Sequence, residues 1–350
     1  MVAGEWSPYQ LRFRFEARTS RETMRVKPTY FVRLSDPERP GVSGIGECAL
    51  FRGLSADDRP DYEELLSYYC AHPQEALTCP YSSIRFGFET AFADLAAGGR
   101  RILFGRNDWT DGRQGIRING LIWMGDKATM SRRIAEKLDA GFSVLKLKIG
   151  GIRFDDEVEL LRGIRRDFDP SILELRLDAN GSFPVDQAME RLKVLSDFCI
   201  HSIEQPVLAG QPEIMASLCA SGPIPIALDE ALIGVRDAAS CAALLDKIAP
   251  QYIILKPALC GGLSGADTWI EAAEKRGIGW WATSALESDI GLNAIAQWVA
   301  SKNPSIPQGL GTGQLYENNI PSPLECRGER LYHLPGARIW GNPDDLSWRK

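Results

Sequence analysis

The stretch VLKLKIGG, Val144–Gly151, sets two lysines two residues apart inside an otherwise apolar run. It reads as a β-strand, and because side chains alternate across a strand, Lys146 and Lys148 point the same way. An ammonium group that cannot reach water is costly unless something pairs with it, so partners are expected elsewhere in the chain. The run also belongs to a rhythm. IRINGLIWM from 116, VLKLKIG from 144, ELRLDANG from 174, SIEQP from 202, PIALDE from 225, YIILKP from 252, GWWATSALES from 279 and GLGTG from 309 are short runs that end in polar residues or glycine. Successive starts lie 23 to 30 residues apart, about one strand, one helix and two loops. Eight such units in series predict an α/β fold, a (β/α) barrel of the TIM type. A doubly wound open sheet competes, but the glycine fingerprint it carries after its first strand is missing.

Between the runs the periodicity is helical. KATMSRRIAEKLDAG spaces Met130, Ile134 and Leu138 four apart and stops at Gly141, a good helix-ending residue. DDEVELLRGIRRDF carries acids in its first turn and arginines near its end, which suits the helix dipole. Those arginines read as a solvated face.

Residues 1–115 break the rhythm. YQLRFRFEA and TYFVRLS alternate like antiparallel strands, GVSGIGECALFRGLSADD reads as a glycine-rich connection, and SSIRFGFETAFADLAAG as an amphipathic helix. The expected organisation is an α+β capping domain over 1–115 and the barrel over 116–319. The tail, 320–350, is expected to pack back on the capping domain.

Composition narrows the partners. The 350 residues carry a net charge of −6, which disfavours nucleic acid and anionic membrane surfaces and points to a small-molecule ligand. Eight cysteines are scattered without metal or redox spacing, as expected of reduced thiols in a cytoplasmic protein. The amino terminus has no apolar core of signal-peptide length, and no window is long and apolar enough for a membrane span.

In such a barrel the chemistry sits at the C-terminal ends of the strands. Those ends read Lys146 and Lys148, then Asp178 and Asn180, then Glu204, then Asp229 with Glu230, then Lys256. Converging carboxylates repel one another unless a cation neutralises them. Oxygen-only ligands suit Mg²⁺ or Mn²⁺ rather than zinc, which makes Asp178, Glu204 and Asp229 the candidate metal triad. His72, His201 and His333 lie elsewhere and read as structural. An amine beside a divalent cation has its pKa lowered, and a neutral lysine is a usable general base. With Lys256 facing Lys146 and Lys148, the pattern suggests removal of a proton α to a carboxylate, leaving an enediolate.

These pieces, KLK, DANGSF, IEQP, LDE and LKP in that order, resemble the enolase superfamily, in the branch that holds muconate cycloisomerases, dipeptide epimerases and o-succinylbenzoate synthases. The resemblance covers nearly the whole chain. It implies a modified barrel under a capping domain and that superfamily's known pattern of a lysine or histidine base with Mg²⁺ on the enediolate. SALESDIGLNAIAQ, Ser284 to Gln297, is similar to the o-succinylbenzoate synthase family. The Asp-x-Asp pair that dipeptide epimerases carry after the eighth strand is absent from GLGTGQLY.

The resemblance therefore implies metal-dependent syn-dehydration of 2-succinyl-6-hydroxy-2,4-cyclohexadiene-1-carboxylate to o-succinylbenzoate, a menaquinone-pathway step. Lys148 would be the base and Lys256 a cation that stabilises the enediolate. Asn180 and Glu230 would orient the metal ligands. In the loop Phe51–Ser55, Gly53 and Ser55 are candidate substrate contacts, though both suit an ordinary turn. Ser284, Ser288 and Gly311 are further candidates, though small residues at strand ends also serve packing. The alternative is an N-acylamino acid racemase or dipeptide epimerase using Lys148 and Lys256 as paired bases. A non-catalytic barrel would lack a ligand or a lysine, and none is missing.

Overall fold

A computed structural model describes residues 2–18, 23–336 and 339–350. Its first part is an antiparallel sheet, β1 (Ala3–Arg18), β2 (Thr23–Ser35) and β3 (Ser43–Cys48) in that order, followed by helices α1 (Tyr62–Ala71), α2 (Pro73–Ala76) and α3 (Ser82–Ala96). The glycine-rich stretch expected to be a connection thus contains a strand. Its glycines serve close approach: a Cβ at Gly46 would lie 1.9 Å from the Gly87 carbonyl oxygen of α3. Trp6, Leu34, Leu66 and Phe88 fill the core between this sheet and its helices.

The first barrel run divides into β4 (Ile116–Arg117) and β5 (Gly120–Ile122). Helices and strands then alternate: α4 (Lys127–Asp139), β6 (Val144–Lys148), α5 (Phe154–Asp167), β7 (Glu174–Asp178), α6 (Val185–Ser196), β8 (Ile200–Glu204) and α7 (Pro212–Ser221). They continue with β9 (Ile226–Leu228), α8 (Ala238–Ile248), β10 (Tyr252–Leu255), α9 (Gly262–Glu274), β11 (Gly279–Ala282) and α10 (Asp289–Lys302). Strands β5 to β11 form one parallel sheet in sequence order. The eighth run adds only two bridging residues, Gln308 to Ile118 and Gly309 to Thr283. They join the two edges of the sheet, so the barrel is modified by a vestigial last strand.

Local chemistry starts the helices where expected. Asp126 accepts the Thr129 amide at 2.7 Å to cap α4, and Asp237 does the same for α8. The arginines of α5 differ from the solvated face expected of them: Arg165 donates to the carbonyls of Leu173 and Phe198 at 2.7 and 2.8 Å, pinning the helix to neighbouring loops. Arg166 pairs with its neighbour Asp167 at the surface.

Beyond the barrel, β12 (Leu324–Arg327) and β13 (Arg330–His333) form a hairpin that pairs with β4. Trp340, Leu346 and Trp348 then pack against Phe31 and Ile45, and Arg349 pairs with Trp6 of β1.

Candidate active site

Strand register brings the charged residues together. Asp178 lies opposite Lys148 on one side and Glu204 on the other, at the C-terminal edge of β6, β7 and β8. Asp229 and Lys256 follow directly after β9 and β10. The partners demanded by the two lysines of β6 are these acids. Lys146 Nζ lies 3.0 Å from Asp178 and 2.5 Å from Glu204. Lys148 Nζ donates to Asp178 Oδ2 at 2.8 Å and to Asn180 Oδ1 at 2.9 Å, and Lys256 Nζ donates to Asp229 Oδ2 at 2.5 Å.

Asn180 ties the cluster together. Its left-handed backbone, φ 45°, turns the chain so that its amide donates to Asp178 Oδ1 at 3.2 Å, while its side chain donates to Glu230 at 3.1 Å. Asparagine tolerates that conformation better than most residues.

Charge separates the members of the cluster. Burial pushes Asp178 up, but the ammonium groups of Lys146, Lys148 and Lys256 outweigh it and hold the carboxyl well below the usual range. Burial dominates at Glu204, and with the acids Asp178 and Asp229 beside it the carboxyl rises to about 7 despite Lys146. Burial pulls Lys146 and Lys256 down, yet the acids raise both above the ordinary amine value.

Above the cluster opens a cavity of about 380 Å³. Lys146, Lys148, Lys256, Asp178, Asn180 and Glu230 line it, as do Gly53, Ser284 and Gly311. Glu204 and Asp229 are buried and connect to it through the lysines. Ser55 and Ser288 are placed otherwise. Ser55 Oγ accepts the Phe51 amide at 2.9 Å to close its own turn, and Ser288 caps α10 and donates to Glu47 at 2.6 Å. The three histidines lie outside the cavity lining.

Several lining residues went unread in the sequence. Asn119, Leu121 and Trp123 share one face of the first run, a two-residue alternation like that of the lysines but without charge to advertise it. The Trp123 ring lies under Lys148 Nζ, 5.9 Å from centroid to nitrogen, and its buried Nε1 has no hydrogen-bond partner among the described residues. Arg52, which lines the cavity from the loop after β3, was not singled out either.

Residues 129–336 match the family described as Enolase C-terminal domain-like. The chain is 46% identical to the o-succinylbenzoate synthase of Desulfotalea psychrophila, over 92% of this chain and 96% of that protein. The chain belongs to the enolase superfamily. Within this superfamily its likeness is to o-succinylbenzoate synthases: the crystal structure of MenC from Desulfotalea psychrophila superposes with a TM-score of 0.84 at 42% identity, over 95% of this chain and 99% of that one. A dipeptide epimerase from Cytophaga hutchinsonii complexed with Mg and D-Ala-L-Val has the same fold, TM-score 0.83 at 21% identity.

Enolase-superfamily membership implies a divalent cation, and the residues fit one chemically. The donors are all oxygen, and Glu204 Oε1 is buried with no hydrogen-bond partner among the described residues. As they stand the acids turn to lysines, and among the described residues no three His, Cys, Asp or Glu side chains form a cage.

Proposed function

We propose that this chain catalyses the metal-dependent dehydration of 2-succinyl-6-hydroxy-2,4-cyclohexadiene-1-carboxylate to o-succinylbenzoate. The reading rests on one observation above the others: lysines from β6 and from the end of β10 line a single cavity, with acids on the intervening strands. The 46% identity to an o-succinylbenzoate synthase selects the reaction from those this arrangement can serve.

Asp178, Glu204 and Asp229 would hold Mg²⁺, or Mn²⁺ in its place. When bound, the ion supplies positive charge to the substrate carboxylate as negative charge builds there. Lys148 takes the proton α to that carboxylate, and the same amine, now protonated, returns the proton to the departing hydroxyl as water leaves. One amine on one face suffices for this syn course, and aromatisation drives it. Lys256, from the end of β10, acts as a cation that stabilises the enediolate without moving a proton. Racemisation would instead need it as a second competent base. Asn180 orients both Lys148 and Asp178 through its side chain and amide.

The division at about residues 115 and 319 belongs to the same proposal; Trp340 to Arg349 of the tail lie against the first sheet, whereas the β12–β13 hairpin pairs with β4. A cytoplasmic setting, which the eight free cysteines favour, belongs to the proposal as well. Among the described residues no helix is long and apolar enough to cross a membrane.

The test is turnover by the purified protein, with and without Mg²⁺. Product absorbance should appear with the cyclohexadiene substrate, vanish on exhaustive chelation, and return with the ion. Higher kcat/KM on an N-acyl amino acid or a dipeptide would overturn the dehydratase reading.

A further inference from the structure

The cavity has charge at both ends. On the barrel side the three lysines each lie within hydrogen-bond distance of an acid. On the cap side stands one more cation, Arg52, from the loop after β3. Between them the walls are largely apolar, with Phe51, Leu54, Leu121, Trp123 and Leu286 among the lining residues. Such a cavity suits a ligand with an anionic group at each end of a carbon frame.

Arg52 is positioned rather than loose. Its Nη1 donates to Asp58 Oδ1 at 2.6 Å and its Nη2 to the Tyr30 hydroxyl at 3.3 Å. The other Asp58 oxygen accepts the Gly53 amide at 2.7 Å, so one carboxylate fixes both the guanidinium and the turn that carries it. A guanidinium has five N–H donors in a rigid plane, and these contacts occupy two of them. The side chain is 44% exposed, which leaves the remaining donors open to a ligand.

Resting on the dehydratase reading, we infer that Arg52 binds the terminal carboxylate of the substrate's succinyl chain and so sets specificity for that chain. The ring carboxylate belongs to the strand-end cluster, and the succinyl group carries the only other anionic group of this substrate. An arginine already held on one edge loses little freedom on binding and offers a charge-assisted contact.

The test compares two substrates and two proteins. One substrate is the natural diacid and the other its analogue with the terminal carboxylate replaced by a methyl ester. The wild-type protein, loaded with Mg²⁺, should prefer the diacid by about 10- to 100-fold in kcat/KM, the size expected of one charge-assisted contact. Arg52→Met should lower kcat/KM for the diacid by a similar factor, mainly through KM, and leave the ester almost unchanged. The preference would then collapse. Calorimetry with o-succinylbenzoate should show the same loss of affinity, and Arg52→Lys should restore part of it. Equal losses on both substrates would make Arg52 merely a support for its loop, and no loss on the diacid would also overturn the inference. A wild-type protein that turns over neither substrate would overturn the dehydratase reading itself, and this inference with it.

Discussion

Two buried polar clusters in this protein use the same side-chain types differently. At the seam between the first sheet and the barrel, Glu47 accepts from Thr29 Oγ1, the Ser288 amide and hydroxyl, and the Gly291 amide, at 2.6 to 3.0 Å. Backbone groups and short side chains hold it at the N-terminus of α10, where the helix dipole favours an anion. At the strand ends, Asp178, Glu204 and Asp229 are held by three long lysines. The partners of the seam acid are backbone amides and short side chains with little freedom to move. The partners of the strand-end acids sit at the ends of long side chains with more rotatable bonds.

The contrast breaks most sharply on the lysines. Lys148→Ala should lower kcat by about 10²–10⁴-fold, the usual cost of losing a general base, and leave unfolding by urea nearly unchanged. Lys256→Ala should cost a similar factor through lost charge stabilisation. Exchange of the substrate α-proton with deuterated solvent separates the two: it should vanish in Lys148→Ala. Equal exchange in wild type and Lys148→Ala would remove that residue from the role of base.

Next in size is the metal dependence. Asp229→Asn should raise the Mg²⁺ concentration for half-maximal activity at least tenfold, with circular dichroism unchanged. An unchanged Mg²⁺ requirement would remove Asp229 from the ligand set. At the seam the expectation inverts: Glu47→Ala should cost about 3 kcal/mol of stability, since it strands Thr29, Ser288 and two amides in a buried space. Urea midpoints measure this, and a loss below about 1 kcal/mol would show that the seam is as adaptable as the site.

What could be read from the sequence follows the same line. The strand rhythm and the charged strand ends are local, so periodicity and charge exposed them; Lys146, Lys148, Asp178, Asn180, Glu230 and Lys256 all line one cavity. Strand β3 stayed hidden because glycines that permit approach of α3 look like glycines that make a turn. The placement of Ser288 depends on Glu47, which lies 241 residues away in sequence. Trp123 has no charge to set it apart on its strand face, and Arg52 stands beside the loop candidates Gly53 and Ser55 with nothing local to single it out.

The smallest effect concerns Glu287, which lies near Glu47 and bonds to Ser284 of the cavity lining. It is fully buried, accepts from Ser284 Oγ at 2.5 Å, and keeps Oε1 without a hydrogen-bond partner among the described residues. Burial is the main reason its pKa rises to about 7; the Ser284 hydrogen bond and Lys27 oppose the rise, and Glu47 adds to it. An acid whose folded pKa is raised holds its proton more tightly than the unfolded chain does. Its contribution to stability is therefore fully present below the unfolded value near 4.5 and is lost as pH climbs through about 7. Glu287→Gln removes the titration while keeping the shape and a polar partner for Ser284. Relative to that variant, the wild-type protein should lose on the order of 2 kcal/mol between pH 5 and pH 8. Glu204 and Glu157 also rise to about 7, but they are present in both proteins and cancel in the comparison. Urea unfolding of the pair at several pH values reads the difference directly. A difference that stays flat across this range would mean that Glu287 keeps one protonation state throughout.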